Sequence, residues 1–160
     1  LLNQFLEAMA DSVLEAGGEV LRYIGDAALA IFPITGDVGL ATPVATKQAL
    51  DAAKDALSRM AAVNNERREN SEDEIGFGIG LHLGDVTYGN IGSANRLEFT
   101  VIGPAANEAA RLEALTKEFG VPLIISEKFH SCTPGKLKSL GHQQLRGVSE
   151  AQEVFTLAEF

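Results

Sequence analysis

Glycines at positions 76, 78, 80, 84 and 89 interrupt a stretch, Ile75 to Ile91, whose apolar residues recur at every second position in the manner of a β-strand. Glycine weakens a strand and adds no packing, so a run this rich in it is tolerated where another backbone or a ligand comes close. Whatever fold the chain adopts must bring something against that stretch.

The flanking periodicities say what is available. Leu2, Phe5, Leu6, Met9, Val13 and Leu14 lie on one face at helical spacing, and Gly17-Gly18 stops that helix after Ala16. Val20 to Tyr23 and Ala27 to Phe32 are short apolar runs around Gly25-Asp26, which predicts a β-hairpin with Asp26 at its tip. Pro33 and Gly36 close it. An alanine-rich helix is predicted from about Pro43 to Asn65, and the polar stretch Asn64 to Glu74 reads as a solvated helix end plus loop. Ile75 to Leu83 and Val86 to Ile91 are predicted to pair as a second hairpin, split at Gly84-Asp85. Phe99 to Ile102 form a strand, Pro104 opens a helix running to Phe119, and Pro122 to Ile125 form another strand. Ser126 caps a short helix, and Lys136 to Leu145 with Glu153 to Leu157 make a final strand pair. Helices interleaved with hairpins predict an α+β sandwich with helices on an antiparallel or mixed sheet, and disfavour a Rossmann domain, which needs repeated βαβ units.

A chain of 160 residues suits a single domain, and 46% hydrophobic residues exclude disorder as its main state. Asp and Glu number 22 against 13 Lys and Arg, a net charge of -9 that argues against a nucleic-acid partner. Cys132 is the only cysteine, which excludes an internal disulfide and fits a reducing, cytoplasmic setting. The longest apolar run, Ala27 to Ile34, falls far short of the ~18 residues of a membrane span, so no membrane contact is expected from this segment. No secretory signal opens the chain, and its first residues read as a helix already under way.

Two segments, GGEVLRYIGDAALAIF (17–32) and GIGLHLGDVTYGNIGSANRLEFTVIGPAANEAARLEAL (78–115), resemble the catalytic domain of class III nucleotide cyclases in order and spacing. The resemblance implies a ferredoxin-like sandwich and a homodimer or pseudo-dimer with active sites across its interface. It implies conversion of ATP or GTP to a 3′,5′-cyclic monophosphate with release of pyrophosphate.

Each matched residue also has a reading of its own. Asp26, a turn carboxylate between apolar strands, is placed to hold a hard cation such as Mg²⁺ or Mn²⁺, and matches the family's second metal-binding aspartate. Two metals per site are implied. The first aspartate would lie on a strand upstream of the opening helix, so the chain is expected to lack its N-terminal strand. Asn107 and Arg111 stand four apart on one helix face among Ala105, Ala106, Ala109 and Ala110. They match the family's transition-state pair, an asparagine that orients the ribose and an arginine that stabilises charge on the phosphates; a guanidinium suits that task because its planar fork donates to two oxygens at once. Arg22 and Thr100 match the base-reading pair, where Thr100 fits the adenine version and Arg22 replaces the expected lysine. Arg146 resembles the cation that meets the terminal phosphates. His82, His130 and His142 lack metal-cluster spacing, and His82 reads as a packed core residue. The expected function is an adenylyl cyclase, with a fused sensor domain as a possible partner. The alternative is a degenerate cyclase-like module that dimerises or binds nucleotide without turnover, which the missing first aspartate and Arg22 favour.

Overall fold

The computed structural model describes the backbone of residues 2–93, 96–133, 135–145 and 149–160, and the side chains of these except 2 and 90–102. Helix α1 (Leu2–Glu15) leads into the hairpin β1 (Glu19–Ile24) and β2 (Ala27–Ile31), paired antiparallel from Glu19 opposite Ile31 to Ile24 opposite Ala27, with a bulge between Val20 and Arg22. The turn forms because Gly25 takes a φ of 58°, which glycine adopts without strain, and it leaves Asp26 exposed at the tip. Both elements match the sequence expectation.

Helix α2 (Val38–Glu69) starts earlier than expected and contains Pro43. Asp37 caps it, its carboxylate accepting from the Gly39 and Leu40 amides at 2.9 and 3.3 Å, and this cap sets the start ahead of the proline. At the far end Arg67 and Arg68 complement the helix dipole, and Arg67 donates to the Asp73 carbonyl at 2.6 Å while pairing with Glu72 at 2.6 Å. Buried Asn64 satisfies both backbone groups of Ile75, donating to its carbonyl at 3.1 Å and accepting from its amide at 2.8 Å.

The expected second hairpin does not form. Only Ile79–Leu81 (β3) becomes a strand in the first half, and it pairs in parallel with β6 (Leu123–Ser126). The hairpin is made instead by β4 (Thr87–Ser93) and β5 (Arg96–Ile102), from Thr87 opposite Ile102 to Ser93 opposite Arg96. The glycines explain the difference. They admit helix α3 (Pro104–Phe119) against β3: a Cβ on Gly80 would stand 2.7 Å from the Glu113 amide nitrogen and closer still to the Ala109 carbonyl oxygen, and one on Gly78 would collide with the Thr116 hydroxyl. The short helix α4 (Glu127–His130) follows β6, capped by Ser126 as expected, and β7 (Leu137–Gln143) pairs antiparallel with β8 (Gln152–Leu157).

The four strands run in the order β3-β6-β8-β7, parallel at β3/β6 and antiparallel elsewhere. Alternation along β6 sorts the core. Leu123 and Ile125 pack with Ala49, Leu50 and Ala53 of α2, with Phe129, and with Phe155 and Leu157 of β8. Ile124 points the other way and packs with Leu112 of α3, Leu145 and Val154. Helices α2 and α3 therefore cover opposite faces of a mostly antiparallel sheet, the expected sandwich. Ala8 of α1, Met60 of α2 and Ile75 form a third cluster that seats α1 on α2.

Candidate active site

Helix α3 carries the densest set of candidate residues. Pro104 occupies its first turn, where a missing N–H costs nothing, and Gly120 ends it in the left-handed conformation with a φ of 64°. The inward stripe of the helix includes Leu112 and Thr116, both buried, and the outward side presents exposed Asn107 and half-buried Arg111 one turn apart. Among the residues whose side chains are described, neither hydrogen-bonds or ion-pairs with another. The flanking alanines leave room for a flat or phosphorylated group to approach.

The β1–β2 hairpin carries the second set. Asp26 is exposed at its tip, and Arg22, exposed on β1 opposite Leu29, is likewise uncommitted among the described side chains. Tyr23 and Ile24, 52% and 53% exposed, put apolar surface beside them, and Tyr88 on β4 is 44% exposed. Hairpin and α3 are anchored separately, one beside α1 and the other on the four-stranded sheet. Asp26 and the Asn107–Arg111 pair therefore sit on separately anchored elements.

Thr100 lies in β5 with its backbone opposite Gly89, and its side chain falls outside the described residues; so does Arg146. Asp26 offers a divalent cation one carboxylate, and among the described residues no group of three or more His, Cys, Asp or Glu could hold a metal. Among the described residues, the donor set does not complete a metal site. No helix among the described residues is long and apolar enough to cross a membrane.

His82 is half-buried, with its side chain only 6% exposed, and it is more than filler. Its Nε2 lies 2.6 Å from Glu108 Oε2 on α3, and its Nδ1 lies 2.9 Å from the Ser126 hydroxyl. Burial holds its pKa below the ordinary histidine value, the Glu108 charge pulling it up and Lys128 pushing it further down. Glu108 is not among the residues that the sequence pattern singles out. The signal was present: a carboxylate four residues before Leu112 lies on the sheet-facing side of α3 and needs a buried partner.

Comparison with known proteins follows the same lines. Residues 1–158 match the model of the adenylate and guanylate cyclase catalytic domain, and the chain belongs to that family. It is 39% identical over 127 residues to an adenylate cyclase of Anabaena cylindrica, covering 79% of this chain and 24% of that protein. It is 29% identical over 143 residues to the photoactivated adenylate cyclase subunit alpha of Euglena gracilis, covering 88% of this chain and 13% of that one. Among solved structures, a bacterial light-regulated adenylyl cyclase superposes with a TM-score of 0.75 at 28% identity, over 99% of this chain and 43% of the other. The guanylyl cyclase Cya2 shares the fold, with a TM-score of 0.70 at 24% identity over 98% of this chain and 78% of the other. The chain thus spans a minor part of the curated relatives it matches, and the relatives named include cyclases for both purine bases.

Proposed function

We propose that this chain is the single catalytic domain of an adenylyl cyclase, converting ATP to 3′,5′-cyclic AMP and pyrophosphate by attack of the ribose 3′-hydroxyl on the α-phosphorus. The carrying observation is exposed Asn107 with half-buried Arg111, one turn apart on a helix packed against the sheet and without partners among the described side chains. Asn107 can hold the ribose by its amide, which sets the attacking hydroxyl in line, and orientation of this kind supplies much of the rate in phosphoryl transfer. Arg111 can donate two N–H groups to non-bridging phosphate oxygens, where charge accumulates as the α-phosphorus is attacked.

Because Asp26 and Arg111 sit on separately anchored elements, a second copy of the chain is proposed to complete each site, with the Tyr23–Ile24 and Tyr88 surfaces covered on pairing. A divalent cation, Mg²⁺ or Mn²⁺, would take an oxygen from Asp26 and neutralise the nucleotide's phosphates. ATP is favoured over GTP because Arg22 offers no acidic acceptor for the guanine N–H groups, and Thr100 fits an adenine reader. A cytoplasmic location and a fused sensor domain belong to the same reading, in keeping with relatives much longer than this chain.

A second reading, a regulatory cyclase-like module that binds nucleotide without turnover, is favoured by the absence of a metal-holding cluster among the described residues. Cyclic AMP and cyclic GMP formation, assayed separately with ATP and GTP in the presence of Mn²⁺, decides. Cyclic AMP as the main product supports the first reading. Nucleotide binding by calorimetry with neither product supports the second, and cyclic GMP as the main product overturns the base assignment.

A further inference from the structure

Helix α3 meets the sheet through apolar packing around Leu112, through the Thr116 hydroxyl against Gly78, and through a directed polar contact made by Glu108. Glu108 reaches inward from α3 to His82 Nε2 at 2.6 Å, and His82 Nδ1 meets the Ser126 hydroxyl at 2.9 Å. Ser126 in turn accepts the Phe129 amide at 3.1 Å as the cap of α4. With a neutral imidazole, the form that burial favours, one tautomer satisfies every group. With Glu108 ionised, His82 must carry its proton on Nε2 to donate to the carboxylate; Nδ1 then accepts from the Ser126 O–H, whose oxygen remains open to the Phe129 N–H. A neutral imidazole in this tautomer makes a directed chain from the start of α4, through β6 and the end of β3, to α3.

Geometry gives the chain its consequence. At about 100° per residue, Glu108 lies about 60° round the helix from Arg111 and about 100° from Asn107. Apolar packing along Leu112 allows small rotations of α3 at little cost, whereas a charge-assisted hydrogen bond is directional and loses strength when the helix turns.

We propose that His82 is a positioning residue: through Glu108 it fixes the rotation of α3 and so the aim of Asn107 and Arg111, without touching substrate. This deepens the cyclase reading and rests on it for its catalytic consequence, although the tie itself does not. The charged and titratable groups acting on the imidazole are Glu108 from α3 and Lys128 from α4, beside the Ser126 hydroxyl from β6.

The test uses His82→Leu, which keeps bulk and removes both bonds, Glu108→Leu, and Glu108→Gln, whose amide oxygen still accepts from Nε2–H. The expected result is a fall in kcat of about ten- to a hundred-fold in both leucine variants, on the scale of a catalytic group displaced by an ångström or less. KM for ATP stays within about threefold, and Glu108→Gln recovers most of kcat. Unchanged kcat in folded leucine variants overturns the proposal, as does a rise in KM with kcat intact.

Nitrogen-15 NMR of the histidines judges the tie separately, with His82 expected as the Nε2–H tautomer at neutral pH. Backbone amide shifts from Asn107 to Arg111 are expected to move in Glu108→Leu and to return toward wild type in Glu108→Gln. The opposite tautomer, or α3 amides indifferent to Glu108→Leu, overturns the tie even if the protein proves to make no cyclic nucleotide. Should His82→Leu fail to fold, the two Glu108 variants and the wild-type tautomer still decide.

Discussion

A Cβ placed on Gly80 would stand 2.7 Å from the amide nitrogen of Glu113, so strand β3 and helix α3 approach as closely as their backbones allow. Gly80→Ala must push α3 outward. Overpacking of this kind costs about 1–3 kcal/mol, which in a protein of this size lowers Tm by roughly 2–4 °C per kcal/mol. Thermal unfolding checks the first expectation. Cyclase turnover measured well below Tm checks the second, a loss of kcat larger than the loss of folded protein, because the displaced helix carries Asn107 and Arg111.

Asp26 and Arg111 lie on elements anchored to different parts of the fold, and neither has a described side-chain partner. Asp26→Ala is therefore expected to leave stability within about 0.5 kcal/mol of wild type while abolishing most cyclase activity. Arg111→Ala should reduce kcat by about 10²-fold or more with a smaller effect on KM. Mixing the two inactive variants should restore activity, since a heterodimer holds one site built from two intact contributions. Activity that stays at the level of the separate variants would show that the site is not shared.

The sequence made the α+β architecture legible because its helices and first hairpin are local: the Leu2–Leu14 stripe, Gly25-Asp26 and the Ser126 cap each declare themselves within a few residues. Strand partnership is not local. Ile75 to Leu83 looked like half of a hairpin because alternation reports burial on a strand and says nothing about its neighbour; β3 pairs with β6, more than forty residues on, and its glycines answer to α3. The same limit governs the site. Asn107 and Arg111 were legible as a pair at helical spacing, whereas Glu108 acquires meaning only when β3 brings His82 beneath it. Asp37 as a cap was missed because Pro43 is a stronger punctuation mark in sequence than a lone aspartate.

Asn64 closes the loop after α2 by pairing with both the amide and the carbonyl of Ile75, in a site whose neighbours Met60 and Ile75 are buried. Asn64→Leu leaves two buried backbone groups without partners, each worth about 1–3 kcal/mol. The expected loss, about 2–6 kcal/mol in urea unfolding, should exceed that of Thr156→Val. Thr156 donates a single bond, to the Leu123 carbonyl at 2.7 Å, so its loss deprives one backbone group of a partner rather than two. Equal losses in the two variants would contradict the assignment of Asn64 as the loop's closing group.

Acid should weaken the fold through His82. Burial lowers its native pKa from the ordinary value of 6.5, with Glu108 opposing and Lys128 reinforcing the shift. As pH falls through 6.5 the unfolded chain takes up a proton that the native imidazole still refuses, so the unfolded state binds more protons and stability declines with falling pH. The decline continues to the native pKa and then levels. His82→Gln has no titrating group there, so its stability should respond less steeply between pH 7.5 and 5.5, and the gap between wild type and variant should narrow as the solution is acidified. Urea midpoints at several pH values give the comparison. A gap that widens toward acid would mean that the ion pair with Glu108 dominates in the native state, and the neutral tautomer assigned to His82 would have to be abandoned.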